Sequence, residues 1–189
     1  MNSKPLAFDS QEHRIAVLFA RQDSIYKRRS DLDVYDIERD ARTYTGHFPV
    51  VAHPPCRSWG RLRKFAKPRH DERDLAFFAV NAVRIFGGVL EHPSGSTLWQ
   101  AANLPLPGQR DEFGGSTLPI LQSWFGHECP KSTWLYIVGV NPTDIPDFPL
   151  QLGIPPGRIE RISKAARERT PAPFANWLVD LAVKCGVSK

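Results

Sequence analysis

A single α/β domain built on a mostly parallel sheet is the architecture this sequence predicts, and three observations predict it. Short apolar runs alternate with stretches of helical periodicity, and polar loops follow the runs. The chain has 189 residues, 41% apolar and 24% charged, which is enough for one core and too few for two ordinary domains. Its 17 prolines forbid an all-helical bundle and imply many fixed loops.

Residues 15–20 (IAVLFA) form a continuous apolar run, the pattern of a strand covered on both faces. The polar turn RQDSIYKRRS follows, then a second strand over 32–35 (LDVY). A third, 48–52 (FPVVA), runs into HPPCRSWGRLRKFAKP, where two consecutive prolines stop any ladder and put the loop at the strand's carboxyl edge. Over residues 71–86, Leu75, Phe78, Ala79, Ala82, Val83 and Phe86 fall on one helical stripe. Gly87-Gly88 ends that helix, and Val89-Leu90-Glu91 begins the next strand. Residues 134–138 (WLYIV) are a further strand, and the proline-rich stretch 142–156 reads as loop. The last helix opens after Thr170-Pro171, carries Phe174, Trp177, Leu178, Leu181, Ala182 and Cys185 on one stripe, and closes at Gly186.

Composition narrows the function classes. No apolar run is long enough for a membrane span, and MNSKPLAFDSQEHR lacks the apolar stretch of a signal peptide, so a cytoplasmic protein is expected. Cys56, Cys129 and Cys185 are irregularly spaced and form no disulfide framework; each is a buried residue, a ligand or a nucleophile. Lys and Arg outnumber Asp and Glu by 25 to 20, a net charge of +5 that suits a polyanionic partner.

Ligands of α/β sheets bind beyond the carboxyl ends of the strands, so HPPCRSWGR and LEHPSGS should face one crevice. Cys56 is held there by Pro54-Pro55 and followed by Arg57, Arg61, Arg63 and Lys64. Nearby cations favour the thiolate, the nucleophilic form of cysteine. Glu91, leaving the next strand, suits a general acid. Without a further pattern the plainer reading prevails: most lone cysteines are small buried hydrophobes, and a Glu ahead of His-Pro simply caps a turn.

The order of these motifs resembles the core of the DNA cytosine-5 methyltransferases, in particular compact phage-type members. Those enzymes carry a Pro-Cys loop, then a helix, then a strand ending in Glu-Asn, often with Pro next; here the runs are Pro55-Cys56 and GGVLEHPSGSTLW. Further on, FGHECPKSTWLYIVGVNPTDIPDF is similar to a phage-type stretch of Gly-His, Lys-x-Thr and an apolar strand, and RTPAPFANWLVDLA to the family's terminal segment. The resemblance covers about residues 48–183 and implies a methyltransferase-like Rossmann sheet acting on DNA. It further implies that Cys56 attacks C6 of cytosine and that Glu91 contacts N3 and the exocyclic amine. Lys131 and Thr133 would stand near the base and its phosphate. A base must leave the duplex to be reached, so Trp59 is expected to stack, with Arg57 and Arg61 on the backbone.

The cofactor implied is S-adenosylmethionine, and here the pattern departs from the family. A Phe-x-Gly-x-Gly turn is replaced by Phe19-Ala20-Arg21-Gln22-Asp23-Ser24. In the family's arrangement Asp33 or Asp36 would hold the ribose and Asp40 the adenine amine, while Asp23 and Ser24 sit at the crevice mouth. Ser24 and the amides after it also suit an anion, with Lys27 or Arg28 opposite. His92 stands in the Asn position, and the stretch between Pro107 and Trp134 is too short for a separate recognition domain.

Two other classes stay open. His53, Cys56, His92, His127 and Cys129 have the residue types of a metal site, with a His-x-x-Cys spacing at 53–56. Alternatively, the basic segments 57–73 and 158–169 belong to a relative altered in catalysis that binds nucleic acid or a nucleotide; both are interrupted by acids and read equally as solvated surface.

Overall fold

The computed structural model describes residues 15–149 and 161–186, together with 153, 155, 157 and 158. Within them run β1 (Ile15–Leu18), β2 (Leu32–Val34), β3 (Val50–Ala52), α1 (Glu72–Phe86), β4 (Gly88–Pro93), α2 (Leu98–Ala101), β5 (Ser116–Leu121), β6 (Ser132–Val138), α3 (Lys164–Glu168) and α4 (Ala172–Lys184). The six strands form one sheet in the order β2-β1-β3-β4-β6-β5. The first four are mutually parallel; β6 runs antiparallel to β4 and to β5. The expected α/β architecture with a mostly parallel sheet is therefore present, extended by an antiparallel hairpin at one edge.

Period-two alternation explains the unbroken apolar runs. Ala16, Leu18, Val50, Ala52 and Leu90 face α1, which packs Ala76, Ala79, Val80 and Val83 onto them. Ile15, Val17, Val51 and Val89 face the other way, under Phe174, Leu178, Leu181 and Ala182 of α4. Both faces are covered, so each strand position must be apolar.

Elements depart from the sequence reading where tertiary geometry intervenes. β1 stops at Leu18 because Phe19 adopts a left-handed backbone, φ +64°. β5, SerThrLeuProIleLeu, was not expected: Pro119 interrupts the run, yet an edge strand tolerates the missing proline N–H. The proline-rich stretch is loop as far as it is described, apart from one 3-10 turn at Pro142–Asp144. Among the described residues no helix is long and apolar enough to cross a membrane.

The strand order reverses between β1 and β3, since β2 lies outside β1 and β4 outside β3. Such a switch point leaves a crevice at the carboxyl edge, where the loops from the two strands diverge.

Candidate functional site

Parallel pairing of β3 with β4 sets Ala52 opposite Leu90, so His53 and Glu91 emerge together at the carboxyl edge. His53 Nδ1 lies 3.1 Å from Glu91 Oε2, with about an eighth of each side chain exposed. Burial pushes the Glu91 carboxyl up, but the His53 hydrogen bond and the charges of Lys131, His53 and His92 outweigh it and hold the carboxyl at about 2. An ionised carboxylate only accepts hydrogen bonds, so Nδ1 donates to it. His53 Nε2 shares a 3.0 Å hydrogen bond with the hydroxyl of buried Tyr26, and burial and the Glu91 charge raise that phenol, which keeps its proton. On the far side the buried Gln122 amide donates to Glu91 Oε1 at 2.9 Å and to Thr133 Oγ1 at 3.0 Å. A chain of five polar side chains, from Tyr26 to Thr133, thus crosses the crevice floor.

Cys56 lies three residues beyond His53, half-buried, at a turn whose carbonyl accepts from the amides of Trp59 and Gly60 at 3.0 and 2.8 Å. Burial raises its thiol, the Glu91 and Glu168 charges raise it further, and Lys131 lowers it. The resting group is the thiol. The arginines expected to favour the thiolate do not: the Arg57 guanidinium is committed to Glu72, a fully buried carboxylate at the start of α1. Arg57 is therefore a structural ion pair, and Glu91 is an ionised acceptor, not an acid carrying its own proton.

Trp59 is also corrected. It is 1% exposed, its ring packed against Phe77 at 5.4 Å and covered by Arg73, so no base can stack on it. Its carbonyl accepts from the Thr97 amide at 3.0 Å, which ties the Cys56 turn to the loop after β4. The Arg61 stem lies over Gly95 of that same loop. Lys131 is half-buried and acts on both Cys56 and Glu91 through space, whereas Thr133 is fully buried as a partner of Gln122.

The corner beyond β1 and β2 holds a hollow of about 350 Å³ lined by Ala20, Arg21, Gln22, Asp23 and Ile37. Its position matches the expected cofactor region, but its donors do not fit S-adenosylmethionine. Asp23 is paired with Arg21, Asp33 with Arg39 and the Tyr35 hydroxyl, and Asp40 with Arg42. Asp36 is paired with Lys27 and caps the amides of Glu38 and Arg39, which holds its carboxyl at about 2. Ser24 caps the Ile25–Arg28 turn through the Tyr26 amide. Among the described residues each of these carboxylates is already engaged by a cation, and left-handed Phe19 stands where a glycine would admit the ligand to the backbone.

The histidines and cysteines do not assemble into a ligand set: among the described residues no group of three His, Cys, Asp or Glu side chains is arranged to hold a metal ion. His53 is bound to Glu91 and Tyr26, while His127 Nδ1 meets the Cys129 amide at 3.0 Å. His92, adjacent to Glu91 in β4, is fully buried, and burial lowers its imidazole to about 4.

No protein-family model matches this chain, and no curated protein matches it. Tyr26 and Gln122 are the members that sequence reasoning missed. Tyr26 sat inside a polar cluster assigned to anion binding, and Gln122 lies in a 3-10 turn with no motif around it.

Proposed function

We propose that the chain acts on cytosine bases in DNA in the manner of the cytosine-5 methyltransferases it resembles, with Cys56 adding to C6 and Glu91 holding the N3 face. The observation that carries this reading is that Cys56 and Glu91 belong to the carboxyl ends of the neighbouring parallel strands β3 and β4, near enough for the Glu91 charge to raise the thiol. The coupling gives the addition a trigger. Before a base arrives, the negative carboxylate keeps Cys56 protonated. A cytosine whose exocyclic N–H donates to Glu91 partly offsets that charge, and the thiol becomes easier to ionise.

The Cys56 sulfur then forms a bond to C6 as the thiol proton passes through water to N3, and the C5–C6 π pair becomes the C4–C5 bond of an enamine. Glu91 accepts from the new N3–H and so holds in place the proton that meets the ring's developing electron density. His53 and Gln122 fix the carboxylate from opposite sides, so it costs little reorganisation at that moment. C5 now carries electron density and takes an electrophile; in water this is a proton, and loss of the original C5 hydrogen with expulsion of Cys56 restores the base.

Exchange of the cytosine C5 hydrogen for deuterium in D2O therefore tests the reading with no methyl donor present. Wild type should exchange it, Cys56→Ser should abolish exchange, and Glu91→Gln should slow it by about 100-fold, the loss typical of one preorganised electrostatic partner. Absence of exchange in wild type on a mixed-sequence DNA pool overturns the proposal. Covalent trapping on 5-fluorocytosine DNA, with and without S-adenosylmethionine, then identifies the electrophile.

A further inference from the structure

The turn that carries Cys56 continues into a segment unlike the rest of the surface. Residues 61–70 (RLRKFAKPRH) are exposed at every position except half-buried Ala66. Within it Phe65 is 85% exposed and Leu62 68%, the two largest exposures among the large apolar side chains described, shared at 68% by Ile85. A 3-10 turn at Arg63–Phe65 presents both apolar side chains, its first amides pointing back to Gly60 and Leu62. Scattered exposed apolar residues need no explanation, but this pair is interleaved with cations. Among the described residues, Arg61, Arg63, Lys64 and Lys67 form no ion pair, whereas Arg57 and Arg69 meet Glu72.

We infer that Leu62 and Phe65 are an apolar wedge that enters a nucleic-acid base stack, with Arg61, Arg63, Lys64 and Lys67 on the flanking phosphates. The inference rests on the proposed action on DNA, and it replaces Trp59, which is buried, with the exposed aromatic that the chemistry requires. A base cannot react inside a duplex; its extrusion leaves a gap, and apolar side chains inserted between base steps hold such a gap open. Unpaired cations suit a phosphate backbone because each contact releases a counterion. The wedge is also aimed. Its base is pinned to the crevice by the Cys56 carbonyl, by the Trp59–Thr97 bond and by the Arg61 stem on Gly95. A base displaced by Phe65 would leave the stack beside the Cys56 sulfur.

The test is fluorescence anisotropy of a labelled DNA duplex containing one unpaired cytosine, measured across a series of salt concentrations. Phe65→Ala should weaken binding about tenfold, as loss of one stacking contact does, without changing the salt slope. Phe65→Trp should bind as wild type. The Arg63→Ala, Lys64→Ala double variant should lower the magnitude of the slope of log K against log salt by about 2. Phe65 is 85% exposed, so far-ultraviolet circular dichroism and melting should be unchanged in Phe65→Ala. Equal affinity of Phe65→Ala and wild type, or no binding by wild type at low salt, overturns the wedge. Cys56→Ser separates the two readings, since it should bind this duplex normally yet exchange no C5 hydrogen. Exchange that survives with a Phe65-independent affinity leaves the cytosine chemistry standing alone; Phe65-dependent affinity without exchange leaves the wedge alone.

Discussion

The Cys56 thiol sits between a carboxylate that raises it and an ammonium that lowers it, so substitutions of the two should move it in opposite directions. Glu91→Gln keeps the shape while removing the negative charge, and its single carbonyl oxygen accepts from only one of His53 and Gln122; the thiol should ionise at lower pH. Lys131→Met removes the positive charge and should shift ionisation to higher pH. The rate of alkylation by iodoacetamide, followed against pH by intact mass, reads both. Movement of both variants in the same direction would mean that altered exposure, not charge, governs the sulfur. At this scale the sequence announced Cys56 and Glu91 because each follows a strand at a proline-stopped loop. It did not announce Gln122, since a glutamine in a short turn leaves no periodic trace, nor the burial of Trp59, which depends on Arg73 and Phe77 from the next helix.

Among elements, the passage from α1 into β4 is the most constrained. Gly87 ends the helix with its amide on Val83, at φ +75°, and Gly88 follows at φ +116° as the first residue of β4. A Cβ on Gly88 would overlap the backbone of Val50 in β3, its partner in the parallel ladder. Gly108, at φ +84°, has no atom within 4 Å of the same position. Gly108→Ala should therefore cost only left-handed strain, about 1–2 kcal/mol, whereas Gly88→Ala adds a backbone collision and should cost about 4 kcal/mol or more. Urea unfolding of the two variants separates strain from contact, and equal midpoints would assign the whole cost to φ. The glycine pair was legible as a helix stop. The need for a glycine at the first position of β4 was not, because it arises from how closely β3 approaches. The edge strand β5 was illegible for a related reason: its stability comes from pairing with β6, not from its own residue preferences.

For the whole molecule, the crevice floor joins segments far apart in sequence: Tyr26 after β1, His53 after β3, Glu91 in β4, Gln122 after β5 and Thr133 in β6. The parallel order of the central strands was readable from their apolar runs, and it brings the first three together. The hairpin that delivers the last two was not, so half of the chain that fixes Glu91 emerges only from the fold. Such a chain either acts as one unit or is a row of separate bonds, and its ends distinguish the two. Tyr26→Phe removes the hydrogen-bond partner of His53 Nε2, and Gln122→Leu removes the donor to Glu91 Oε1; the two altered residues share no hydrogen bond. Independent sites add to within about 0.3–0.5 kcal/mol, while members of one network depart from additivity by up to several times that. Because His53 and Glu91 polarise each other through a direct bond in a largely buried setting, loosening either end should already weaken the grip on the other. The double variant should therefore lose about 1 kcal/mol less than the sum of the single losses, measured by urea unfolding at pH 7. Strict additivity would show that Glu91 is held by two local bonds and not by a connected floor.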